Sequence, residues 1–295
     1  MKNKMILGLL LGGGMWGGAA NAAQSAITCD RECLRGQVTQ LLYAFLKHDV
    51  SKLPVADTFR VTEDAVEKPL AKVGLVRTVT RLRGYRQDII DERAGVAGAD
   101  VVVEESGAPV LLVVRLKVVA DKLTEIELVA TRSAAEGLIF NIDGLSAASE
   151  VMNYAPRPEQ LATREQAIQA ALHYPAGLNA AKTFAAVDAP FAPDAYRYEN
   201  GQLMAGPGCK FAPGCQNIAT QSLAIFNRLG DVQTRVAAVD ERMGIVWLRM
   251  AWGARERGGD QLTVWESFKV YDGKIHAVEA FMRILPFEKR NGGWE

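Results

Sequence analysis

Arg115-Leu-Lys-Val-Val-Ala-Asp-Lys-Leu123 and Ser267-Phe-Lys-Val-Tyr-Asp-Gly-Lys-Ile275 are two versions of one phrase, one in each half of the chain. Each closes an apolar run, turns at a short polar step and opens another run. In the second copy Asp272-Gly273, between Tyr271 and Lys274, has the composition of a two-residue hairpin turn. The phrase therefore predicts a hairpin twice over, with closing strands over 124–131 and 276–284. Along the second of these, His276, Val278, Ala280 and Met282 fall on one face, and Ile275, Ala277, Glu279 and Phe281 on the other.

Working outward, Val103-Glu-Glu-Ser-Gly107 resembles Val239-Asp-Glu-Arg-Met-Gly244, and apolar strands over 109–116 and 245–252 follow them. Phe59-Arg-Val-Thr-Glu-Asp64 resembles Tyr196-Arg-Tyr-Glu-Asn-Gly201. A helix precedes each set. Leu34, Val38, Leu41, Leu42, Phe45 and Leu46 recur at helical spacing, and Thr163-Arg-Glu-Gln166 is a capping box opening a second helix. Three correspondences in one order predict two copies of a helix-then-meander unit. Helices followed by hairpins predict an α+β fold. A curved antiparallel sheet packed around its helices would enclose an apolar cavity in each copy. The predicted organisation is a signal peptide over 1–22, a first module over 23–135, a linker over 136–162 carrying Pro156 and Pro158, and a second module over 163–295.

The first segment reads as an export signal. Lys2 and Lys4 precede an apolar, Gly-rich run to Trp16, and Ala20-Asn21-Ala22 fits small-x-small cleavage. That predicts a periplasmic or secreted protein with no stable membrane span once the signal is removed. Four cysteines, Cys29, Cys33, Cys209 and Cys215, then read as two disulfides. Local pairs are the simplest of three connectivities. A metal centre is not predicted, because the three histidines, His48, His173 and His276, form no ligand spacing. The formal net charge is +0, so nothing in the balance attracts nucleic acid.

The phrase Phe268-Lys-Val-Tyr-Asp-Gly-Lys-Ile275 with Val278-Glu-Ala-Phe281, and its weaker copy over 117–129, resembles the SnoaL-like, nuclear transport factor 2-like superfamily. Cys29-Asp-Arg-Glu-Cys33-Leu, Val239-Asp-Glu-Arg-Met-Gly-Ile245, Leu285-Pro-Phe and Gly293-Trp294 make the mature chain similar to a family of exported bacterial and fungal proteins of largely uncharacterised function. The resemblance implies two tandem cone modules of that superfamily, each with helices packed in a curved antiparallel sheet. It also implies chemistry without a cofactor: isomerases, cyclases, epoxide hydrolases and dehydratases share such cones, as do enzymes releasing formaldehyde from lignin-derived diarylpropane or phenylcoumaran dimers. Many members only bind.

The candidate acid–base residues are His276, Glu266 and Tyr198. His276 opens the last strand on the face expected to line the second cavity, and histidine exchanges protons near neutral pH. Glu266 sits in the apolar strand Val264-Trp-Glu-Ser-Phe268, where a dry carboxyl gains a shifted pKa. Tyr196, Trp247, Arg249 and Trp265 are the candidate substrate contacts. The aromatics offer walls, although core packing explains them equally well. Arg249, like Arg115, interrupts an apolar strand and is expected to pair with a glutamate such as Glu127 or Glu279 unless a ligand takes it. The functional expectation is a cofactor-free lyase or isomerase acting on a small apolar or aromatic molecule. The alternative is a non-catalytic binding or structural protein, and self-association stays open. The first module's last strand offers Thr124, Ile126, Leu128 and Ala130 on its pocket face, none of them titratable, and is expected to be structural.

Overall fold

The computed structural model describes residues 29–180, 182–228, 231–252, 259–286 and 294; the signal segment expected over 1–22 lies outside them. The chain folds into two six-stranded sheets, ordered β2-β1-β6-β5-β4-β3 and β8-β7-β12-β11-β10-β9. The first uses β1 Val55–Glu63, β2 Val66–Glu67, β3 Val79–Asp91, β4 Val96–Glu105, β5 Ala108–Val119 and β6 Lys122–Thr131. The second uses β7 Phe191–Glu199, β8 Gln202–Ala205, β9 Gln233–Asp240, β10 Ile245–Trp252, β11 Asp260–Tyr271 and β12 Lys274–Pro286. Helices are few: α1 Arg31–Leu46, the single turns α2 Leu75–Thr78, α3 Ala134–Gly137 and α4 Glu150–Asn153, and α5 Arg164–Ala180.

This corrects the expected fold class. The protein is mostly β, two mixed sheets with one long helix each, and not an α+β pair of superfamily cones with helices packed in a curved antiparallel sheet. The first strand of each sheet runs parallel to the last, β1 along β6 and β7 along β12. That pairing joins segments far apart in the chain, so no local turn signal announces it.

One face of each sheet covers its own helix. In the first, Leu34, Val38, Leu41 and Phe45 of α1 pack on Ala97, Leu112, Val114 and Ile126. The opposite faces of the two sheets meet each other. Ile89, Val113 and Val129 join Ala238, Trp247, Trp265 and Phe281 in a separate core between the modules.

A second repeat organises this contact. The β3–β4 turn reads Asp91-Glu-Arg-Ala-Gly95 and the β9–β10 turn Asp240-Glu-Arg-Met-Gly244. The counterpart of Val239–Gly244 is thus this turn and not Val103–Gly107, one hairpin further on. Each Asp is wholly buried and receives a two-pronged bond from the Arg opening the other module's helix. Arg31 reaches Asp240 at 2.8 and 2.7 Å, and Arg164 reaches Asp91 at 3.0 and 2.6 Å. Backbone amides complete both clusters, Ile90 and Met243 on Asp240, Val239 and Ala94 on Asp91. The modules are therefore related by a pseudo-two-fold axis. Each turn ends on a glycine at positive φ, where an added Cβ would lie 2.6 Å from the Val118 carbonyl oxygen at Gly95 and 2.3 Å from that of Val270 at Gly244.

The axis also pairs large with small. A Cβ on Gly98 would lie 2.4 Å from Cζ3 of Trp247, a ring with no exposed surface. Gly98→Ala is expected to lower stability by about 1–3 kcal/mol through overpacking. Denaturant titration of Gly98→Ala alone and with Trp247→Phe checks this: the second change should recover part of the loss, and an unaltered midpoint for Gly98→Ala would contradict the packing described.

The linker is bound into the same layer. The buried Lys269 ammonium donates to the carbonyls of Met152, Tyr154 and Met243, one acceptor for each proton. The disulfides are both local, Cys29–Cys33 and Cys209–Cys215, and are compatible with an exported protein. Among the described residues no helix is long and apolar enough to cross a membrane.

Candidate functional site

The repeat phrase places a glutamate at the same point of each closing strand, Glu127 in β6 and Glu279 in β12. Directly across the sheet, Glu127 faces Arg115 and Glu279 faces Ser267. Both glutamates point into the layer between the modules, where each meets the other module. Glu127 is bound by Arg235 at 2.8 Å, lies 3.8 Å from Arg115 and feels the charge of Arg249. Glu279 has no such help. Among the described residues no Lys or Arg pairs with it. Its oxygens instead accept hydrogen bonds from Tyr85 at 3.1 Å and Tyr196 at 3.0 Å.

The Glu279 end of the layer is open. A cleft of about 400 Å³ lies between the linker and β7–β8, lined by Tyr85, Leu145, Ser149, Tyr196, Tyr198 and Glu279, with Glu150 and Asp194 also on its wall. The Ser149 hydroxyl lies 2.6 Å from that of Tyr196. The single Tyr196 proton goes to Glu279, so Ser149 donates to Tyr196, while its own oxygen caps α4 by accepting from the Met152 amide. Tyr196 and Tyr198 meet edge to face at 5.5 Å. Burial raises the Glu279 pKa above the ordinary carboxyl value, against the pull of the Tyr196 and Tyr85 hydroxyls that bond it. Asp100, 2% exposed, is pushed well above its usual range by burial and then by the Glu279 charge. Tyr85 and Tyr196 are raised too, by burial first and Glu279 next, and remain protonated donors. The cleft floor is a dry acid between phenols, which can take a proton from a bound molecule and return it.

The predicted site residues separate. Tyr196 and Tyr198 line this cleft. His276 does not reach it. Its ring stacks on Tyr271 at 3.6 Å, Nε2 lies 3.2 Å from the Tyr271 carbonyl, and burial lowers its pKa. The pairing slips between Lys269 and Val270 and again between Ile275 and Ala277. The slip gives the interior position to Ile275 and turns His276 out to the rim. The alternation continues beyond it, with Val278, Ala280 and Met282 in the module interior and Glu279 between the modules.

Glu266 lies on the opposite side of its sheet, in the second module's interior. There it is bonded by Tyr174, whose hydroxyl accepts from Arg197 at 3.1 Å; Arg197 also holds Glu199 at 2.9 Å. Burial, then Glu199, raises the Glu266 pKa to about 8, with Arg197 and Tyr174 opposing. His276, Glu266 and Tyr198 thus do not converge on one cavity. Trp247 and Trp265 are wholly buried, 4.6 Å apart in the core between the sheets, and do not line the cleft. Arg249 pairs with neither expected glutamate. Arg235 occupies Glu127, and burial lowers the Arg249 pKa to about 10, Glu127 opposing and Arg235 assisting. Sequence reasoning passed over Asp100 and Ser149, offered Glu279 only as an arginine's partner and Tyr85 only as a weak aromatic candidate. The available signal was the Arg115-to-Ser267 change between the repeats, which removes the cation opposite the second glutamate.

Comparison with known proteins adds a family without an assigned activity. Residues 160–282, less than half of the chain, match the model of a domain of unknown function, DUF8021. No curated protein matches the chain. Among solved structures, a de novo designed protein with a curved β-sheet is similar at 19% identity and a TM-score of 0.30, covering 35% of this chain and 88% of the designed one. The matched family segment contains Tyr196, Tyr198, Glu266 and Glu279, and excludes Tyr85, Asp100 and Ser149.

Proposed function

We propose that this chain is an exported, cofactor-independent acid–base catalyst, a lyase or isomerase of the periplasm or cell exterior. Its substrate is a small aromatic molecule bound between the two sheets, and Glu279 carries the proton. The observation that supports the reading is a buried carboxyl at the floor of an open cleft that, among the described residues, is held by phenols and by no cation. At the pseudo-equivalent position the same glutamate is neutralised by arginine. An unpaired buried acid costs stability, and a function is one reason to keep it.

In the concrete version, a substrate R–CH2OH loses its hydroxyl proton to Glu279. The C–C bond breaks, formaldehyde leaves, and the proton returns to carbon to give R–H, with no net oxidation. Tyr85 and Tyr196 hold the carboxylate, and the rings of Tyr196 and Tyr198 offer an aromatic wall.

The test is a panel of aromatic dimers bearing a primary alcohol, with formaldehyde and the residual arene both assayed. Glu279→Gln is expected to lose about 10²–10⁴-fold of the wild-type rate while keeping the wild-type thermal midpoint to within a few degrees. A variant as fast as wild type would remove Glu279 from the chemistry. Ligand binding by wild type without turnover of any panel member would favour the non-catalytic carrier instead.

A further inference from the structure

We infer that the cleft is built for a positively charged ligand, a small organic ammonium seated against Tyr196 and Tyr198 with Glu279 as its counter-ion. This rests on the reading of the cleft as the functional site, and names the class of molecule that enters it.

The two ends of the layer between the modules differ in one cation. At the Glu127 end a carboxylate and an aromatic ring already share a cation. The Arg235 guanidinium lies 2.8 Å from Glu127 and sits over the Trp265 ring at 5.5 Å. At the Glu279 end the carboxylate and the rings are present, and the protein supplies no cation among the described residues. Among the described residues the cleft lining there contains three tyrosines, Tyr85, Tyr196 and Tyr198, and three carboxyl groups, Glu279, Glu150 and Asp194, with no Lys, Arg or His. An aromatic wall edged by carboxylates attracts a cation through both the ring quadrupole and the charge. The same lining repels a carboxylate or phosphate ligand, whose charge would meet only acids. The volume, about 400 Å³, is that of a small-molecule pocket. Ser149 and Tyr85 have spent their protons, so a ligand meets the ring faces and the remaining lone pairs of Glu279.

Calorimetric titration of the folded mature protein with three matched probes tests this: benzyltrimethylammonium, its neutral carbon isostere neopentylbenzene, and benzoate. The ammonium is expected to bind about ten-fold or more tightly than the neutral isostere, and benzoate least well. Tyr198→Ala and Glu279→Gln should each cost the ammonium about ten-fold, while Tyr198→Phe, which keeps the ring face, should bind like wild type. Equal or tighter binding of the isostere or of benzoate would overturn the charge preference and leave the aromatic cleft standing. Binding of none of the three probes to folded wild type would overturn both this inference and the assignment of the cleft.

Discussion

Asp240→Ala is expected to cost roughly 3–5 kcal/mol of stability, among the largest single losses available in this chain. The carboxylate is fully buried and binds four donors from three separate places: both prongs of Arg31 in α1, the Ile90 amide at the end of β3, and the Met243 amide in its own turn. Removing it leaves a part-buried guanidinium and two backbone amides without acceptors. It also unties the first module's helix from the second module's turn. The pseudo-two-fold axis makes a further demand. Asp91→Ala removes the same set, Arg164 with the Val239 and Ala94 amides, and should cost a similar amount. The flanking exchanges, Arg93 with Glu241 and Arg242 with Glu92, involve exposed arginines and should matter little. Guanidinium titrations of the two alanine variants check the pair; a loss below 1 kcal/mol in either would contradict the symmetric clasp.

Glu266→Gln is expected to stabilise the protein at alkaline pH and to change little in acid. Below about pH 4.5, the ordinary glutamate value, the carboxyl is protonated whether the chain is folded or not. Between there and about 8 the unfolded chain loses this proton while the folded chain keeps it, so the folded state binds more protons. Stability therefore falls as pH rises through that window, and the full cost is present above it. The rise from 4.5 to about 8 corresponds to on the order of 5 kcal/mol. Glutamine cannot ionise, keeps the size of the side chain and can still meet Tyr174. Its stability should exceed wild type by several kcal/mol near pH 9 and converge with it near pH 4.5. Melting curves of both proteins across that range check this; parallel profiles would contradict the assignment of a protonated acid in the second module's interior.

The hairpins at Ala120-Asp121 and Asp272-Gly273 were legible because their signals are local, with the second carrying the residues a left-handed turn prefers. The closing phrase of the repeat was legible for the same reason, whereas Val239–Gly244 was matched one hairpin beyond its counterpart, the β3–β4 turn. What escaped was non-local or depended on register. The parallel pairing of β1 with β6 and of β7 with β12 joins segments separated by the whole meander, and it turns expected antiparallel modules into mixed sheets. His276 was placed by unbroken alternation, and a one-residue slip at the start of β12 moves it to the rim. Trp247 and Trp265 carry the composition of a binding wall, yet they pack on each other in the core between the sheets, Trp247 against Gly98 of the first module. Glu279 was legible only as a partner for an arginine. Its role follows from what faces it: Ser267 across the strand, and Tyr85 and Asp100 from the other module, neither of which any local pattern connects to it.

On the proposed function, ligand enters between the modules, at Glu279, and not into the interior of the second module, at Glu266. The two sites lie on opposite faces of one sheet, so a pair of isosteric variants separates them. Ligand binding by calorimetry should be weakened at least ten-fold in Glu279→Gln and unchanged in Glu266→Gln, both proteins being folded at the pH of the titration. Binding retained by Glu279→Gln and lost by Glu266→Gln would contradict the account.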